Sequence, residues 1–166
     1  MELNPPVPIH GIDLQMLLRL GVAALLGPLL GLDREMRGHA AGLRTHGLIC
    51  VSAAAMTVSV IALYLQFDHG PGSRMDPLRI FEATGSFVGI LGAALVVFAR
   101  GRLHNLTTAA HLWLTAVIGV ACGAGQWPLV AICVVVSFLM LTVLHFVEGD
   151  WSRDRRIEDD CDGGKP

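Results

Sequence analysis

Charge is scarce in this sequence: 16% of its 166 residues are Asp, Glu, Lys or Arg, against about 25% in ordinary soluble domains. With 53% of residues hydrophobic and a mean hydropathy of +0.58, too little polar side chain is present to cover a water-facing exterior. The formal net charge is −2 and no basic run occurs, so the electrostatic footprint of a nucleic-acid binder is missing and no nucleic-acid partner is expected. Cys50, Cys122, Cys133 and Cys161 form no CxxC pair and keep no metal-ligand spacing with histidine. Zinc sites and a disulfide framework are thereby set aside, and no cofactor is expected. The serines sit in no nucleophile elbow, and neither HExxH nor a phosphate loop appears, so the chain is not expected to be an enzyme. Residues 1–11 lack the basic n-region and small-residue cleavage pattern of a secretory signal, so the first helix is expected to be retained. No internal repeat of the inverted transporter type is evident.

What is abundant is uninterrupted apolar sequence. Runs at about 12–32, 44–65, 79–99, 108–125 and 128–147 are each long enough, at a rise of about 1.5 Å per residue, to cross a bilayer as a helix. Segments 112–122 and 129–144 are apolar all round, whereas a soluble helical core would need polar faces at helical period. The expected fold is therefore an all-α integral membrane protein, a bundle of about five transmembrane helices. Residues 1–147 form one membrane domain in this reading, and 148–166 a short, charged and disordered tail. Basic residues set the orientation. Arg34, Arg37 and Arg44 lie in the first loop, Arg100 and Arg102 in the third, and Arg153, Arg155, Arg156 and Lys165 in the tail; the second loop carries Arg74 and Arg79 alongside Asp68 and Asp76, and the segment before Ile12 and the fourth loop carry none. An external N-terminus and a cytoplasmic C-terminus fit this pattern.

Three helices carry glycines four apart: Gly27 and Gly31, Gly85 and Gly89, Gly119 and Gly123. Such pairs let backbones approach closely in lipid, within the bundle or between chains of a homo-oligomer. Ionisable groups inside a span need a partner or a purpose. Arg19 in the first helix and Glu82 in the third both fall in the outer half, so they can pair; alternatively Arg19 snorkels to the interface while Glu82 stays in headgroup water. The densest polar constellation lies at the cytoplasmic ends of helices one, two and four: Asp33, Arg34, Glu35 and Arg37; Arg44, Thr45 and His46; Thr107, Thr108 and His111. Carboxylates beside several arginines can lock a loop, or hold a bound anion or a hydrated cation. Arg34 and Arg44 are expected to orient Asp33 and Glu35 by bidentate hydrogen bonds. His111 reads as a hydrogen-bonded interfacial histidine rather than a base.

That constellation is also where the sequence becomes familiar. GLDREMRGHAAGLRTHGLICVSAA (Gly31 to Ala54), DPLRI (Asp76 to Ile80) and NLTTAAHLWLTAVIGVACGAG (Asn105 to Gly125) closely resemble the signature segments of the MgtC/SapB family of bacterial inner-membrane proteins, across about residues 15–147. The resemblance implies a five-helix, multi-pass inner-membrane protein with a cytoplasmic C-terminus. It implies a role in adaptation to low magnesium, acid or a host's intracellular niche, exercised by regulating other membrane proteins, the ATP synthase among them. Transport of magnesium or another small cation is the alternative. Two departures stand out. The usual SGIGFLGAG of the third helix reads SFVGILGAA here, keeping Ser86, Gly89, Leu91, Gly92 and Ala93. Longer members carry a cytoplasmic ACT-like domain that this sequence is too short to hold, which makes the short SapB-like branch the closer comparison.

Overall fold

A computed structural model describes residues 14–67, 76, 78–99 and 102–140. The expectations for residues 1–13, the second loop, Arg100, the end of the fifth helix and the tail with Cys161 lie outside the described residues. Five helices are present: α1 (Leu14–Met36), α2 (Leu43–Phe67), α3 (Arg79–Leu95), α4 (Leu106–Ala124) and α5 (Trp127–Met140). Those at Leu14–Met36, Leu43–Tyr64 and Leu106–Ala124 are long and apolar enough to cross a membrane.

α2 is the hub of the bundle, with α1 on one side and α4 on another; α1 also touches α4, while α3 packs on α4 and only lightly on α2. Glycine explains the closeness of the two main contacts. A Cβ at Gly27 would lie 2.8 Å from Cys50 Cβ and from Gly47 Cα, and one at Gly31 would lie 2.7 Å from the Gly42 carbonyl oxygen. Across the other interface, a Cβ at Gly123 would stand 2.5 Å from the Ala54 carbonyl oxygen, and one at Gly119 would strike the Cys50 carbonyl. The core is correspondingly small-residue: Ala23, Cys50, Ala54, Ala121 and Cys122, with Leu30 and Ile118 as its larger members and Val130 entering from α5. Leu14, Leu25, Phe81, Phe87, Ile90, Ile132 and Val135 point outward. Such inversion of the soluble pattern is what a hydrocarbon solvent permits.

The third glycine pair does not repeat the theme. Gly85 abuts the Trp113 ring on α4, but Gly89 has nothing within 4 Å, and Gly92, one turn on, faces Ala109 at 3.3 Å instead. α3 is also shorter than the run expected to reach residue 99. It stops at Leu95, and Val97–Ala99 pairs antiparallel with Arg102–His104 in a hairpin (β1 and β2). The β-branched and aromatic residues Val96, Val97 and Phe98 favour extended backbone. Asn105 turns the chain into α4 through a left-handed conformation (φ 65°), and its side chain donates to the Leu95 carbonyl at 3.1 Å, satisfying one free group at the end of α3.

Candidate functional site

Where α1 ends and α2 and α4 begin, polar side chains turn inward. Arg34, in the last turn of α1, is only 6% exposed and crosses to the first turn of α4, donating from Nη2 to Thr108 Oγ1 at 2.5 Å and to Thr107 Oγ1 at 3.3 Å. Its Nε is buried without an acceptor. The neighbouring carboxylates are engaged elsewhere. Asp33 accepts from Arg37 Nε at 2.8 Å, one turn along the same helix. Glu35 Oε2 accepts from the Leu43 backbone N–H at 3.0 Å, so α1 supplies the N-terminal cap of α2. That carboxylate occupies the space a side chain at Gly42 would need.

Behind this layer runs a second polar line through three helices. His46 Nδ1 is 2.8 Å from the Gly42 carbonyl oxygen; His46 Nε2 is 2.9 Å from His111 Nδ1; His111 Nε2 is 3.2 Å from Ser137 Oγ on α5. A carbonyl can only accept, so Nδ1 of His46 carries hydrogen, and with both rings neutral the remaining directions follow. His46 Nε2 accepts from His111 Nδ1–H, and His111 Nε2 accepts from the Ser137 hydroxyl. One backbone carbonyl thus sets both tautomers, and α2, α4 and α5 are tied at the same end of the bundle. Thr115 and Thr57 instead return their hydroxyls to their own helices, donating to the His111 and Ala53 carbonyls at 2.9 and 2.8 Å.

Of the ten residues expected to gather here, Arg34, Thr107 and Thr108 form one bonded group and His46 and His111 another, while Asp33 and Arg37 pair, and Glu35 caps α2. Arg44 and Thr45 do not join. Arg44 is exposed, and Thr45 faces a groove of about 690 Å³ between α2 and α3, lined also by Ile49, Ser52, Thr84 and Val88. The expected bidentate orientation of the carboxylates by Arg34 and Arg44 is therefore corrected: backbone N–H and Arg37 took those acceptors first, because both lie within one turn or one short loop. Arg19 and Glu82 are likewise not paired. α1 and α3 share no substantial contact, Glu82 is exposed, and Arg19 Nη1 donates to the Gly123 carbonyl at 3.0 Å. A cation at the C-terminal end of α4 meets unsatisfied carbonyls and the negative end of the helix dipole. Ser137 and the Gly42 carbonyl were not legible as site members; the one available signal was a lone hydroxyl within CVVVSFLM. Among the described residues, no group of three or more His, Cys, Asp or Glu side chains could hold a metal ion.

With this geometry in place, comparison with known proteins is informative. The sequence model described as the MgtC family matches residues 20–149. The chain belongs to the MgtC family. It is 39% identical over 134 residues to the protein named "Putative magnesium transporter YhiD" of Escherichia coli K12, covering 79% of this chain and 61% of that one. It is 36% identical over 134 residues to "Protein SapB" of Bacillus subtilis 168, covering 77% and 58%. To "Protein MgtC" of Salmonella typhimurium it is 39% identical over 111 residues, covering 67% and 44%. The chain thus spans less than two thirds of the length of these relatives. No solved structure matches it. The family membership and the apolar helices together make it a helical membrane protein of MgtC type.

Proposed function

We propose that this is a non-enzymatic protein of the bacterial inner membrane that serves adaptation to low magnesium or envelope stress by acting on other membrane proteins, and that its working end is the cytoplasmic one. The observation that carries this reading is the convergence of Arg34, Thr107, Thr108, His46, His111 and Ser137 from four helices at one end of a bundle whose other described surfaces are mainly apolar. Buried polar groups tied across helices fix one packing of that end and present a defined surface to a neighbour. The basic residues of the first loop support a cytoplasmic position for the same end. The ATP synthase is one candidate neighbour, and a second copy of the chain another.

The competing reading is a small-cation transporter, as the printed name of the YhiD relative suggests. Against it, Asp33 and Glu35 are already occupied by Arg37 and the α2 N-terminus, and Glu82 stands on an exposed face of α3 rather than on a path through the bundle. Magnesium takes six oxygen ligands, several of them water, and is held through one or two carboxylates. Purified protein in sealed liposomes with a magnesium gradient decides between the two. No flux above protein-free liposomes is expected; saturable flux would establish the transporter.

A further inference from the structure

We infer that Arg34 and the first turn of α4 form a binding site for a phosphate-type oxyanion. Arg34 is only 6% exposed, and among the described residues no carboxylate is bonded to its guanidinium: Nη2 meets the neutral hydroxyls of Thr107 and Thr108, and Nε has no acceptor. Removing a charge from water is costly, and the nearest carboxylates in sequence compensate it only in part: Asp33 acts on Arg34 through space while bonded to Arg37, and Glu35 is bonded to the Leu43 N–H. The location compounds the cost. The guanidinium rests against the N-terminal turn of α4, where the helix dipole is itself positive. That turn is uncapped: Asn105 makes no side-chain cap bond there because its amide is spent on Leu95, and the first α4 backbone bond of this kind is Ala109 N–H to the Asn105 carbonyl. The N–H groups of Leu106, Thr107 and Thr108 therefore have no backbone acceptor among the described residues.

At the start of α2 the corresponding requirement is met by a carboxylate of the chain, Glu35 on Leu43 N–H. At the start of α4 no carboxylate stands among the described residues, and a guanidinium takes that place. An oxyanion supplies what both partners lack: acceptors for the free N–H groups of the turn and for Arg34, and a negative charge against the dipole and the guanidinium together. Thr107 and Thr108 accept from Arg34 through oxygen and keep their hydroxyl hydrogens to donate. The exposed Thr107 opens the site to the membrane face, so a phospholipid headgroup or free phosphate shares the required chemistry.

The test uses the full-length protein in dodecyl maltoside, which carries no phosphate, with thermal unfolding as readout. Inorganic phosphate, against chloride at matched ionic strength, and phosphatidylglycerol are titrated separately. A saturable rise in the midpoint with phosphate identifies the free anion; a rise with phosphatidylglycerol alone identifies the headgroup; either supports the site. Arg34→Gln should weaken the response about tenfold or more, the loss of a charge-assisted contact, while Arg79→Gln at the far end of α3 leaves it unchanged. No rise with either ligand, or an equal rise in Arg34→Gln, overturns the inference. Should Arg34→Gln not fold, the exposed Thr107→Val decides, because an undiminished response there overturns it equally. Binding by purified protein is read independently of growth or flux, so this inference and the proposed function can fail separately.

Discussion

At the scale of single residues, the protein is organised by which buried polar atoms find partners. His111 is the clearest case, since it joins His46 on α2 to Ser137 on α5 and has no equivalent elsewhere among the described residues. His111→Leu leaves His46 Nε2 and Ser137 Oγ facing apolar surroundings, at a cost of about 1–3 kcal/mol. The double variant His46→Leu/His111→Leu removes both members of the ring pair, so it should regain part of that loss in thermal unfolding in detergent; strictly additive losses would show that the two rings are not coupled. The residue types of this site were readable from the sequence, because charged and hydroxyl side chains stand out against so apolar a background. Their pairing was not. Arg34 and Arg44 look equivalent in the sequence, yet one ends 6% exposed against α4 and the other lies on the surface, since a helix turns about 100° per residue and only one of them faces inward. Arg19 shows the same limit: a free helix C-terminus is an acceptor that no side-chain pattern displays.

At the scale of elements, the spacing of small residues decides which helices can touch. The expectation of close packing at Gly27, Gly31, Gly119 and Gly123 is matched by contacts to α2 backbone, but Gly89 on α3 meets open space. Gly119→Ala should therefore cost about 1–3 kcal/mol through overpacking against Cys50 and Ala53. Gly89→Ala should instead gain about 0.5–1 kcal/mol, the ordinary helix preference of alanine over glycine. Comparison of the two unfolding midpoints checks the assignment, and a loss at Gly89 would mean that this face is covered. Helix positions were legible because apolar runs of spanning length have few alternatives. Helix ends were less so: α1 runs on through Asp33 to Met36, since polar residues beyond the apolar stretch continue the helix, and α3 stops early where β-branched residues take over.

At the scale of the whole molecule, the polar end and the apolar flanks give the bundle a direction, and the arginines of the first loop are the basis for proposing that the polar end is cytoplasmic. A cysteine probe at Ala40, exposed in the α1–α2 loop and free of the positive φ that Gly38 adopts, should resist an impermeant thiol reagent in intact cells. A probe at the exposed Gln126, between α4 and α5, should react, on a background without native cysteines. The reverse labelling would place the polar end outside. The proposed working end turns on Arg34. Arg34→Lys keeps the charge but ends one bond short of the position from which Arg34 Nη2 reaches both Thr107 and Thr108. In a strain whose growth in low magnesium depends on this protein, Arg34→Lys should fail to support growth while its level in the membrane matches the unsubstituted protein, and Arg79→Lys at the opposite end should grow normally. Full growth of the Arg34→Lys strain at normal membrane level would contradict the account.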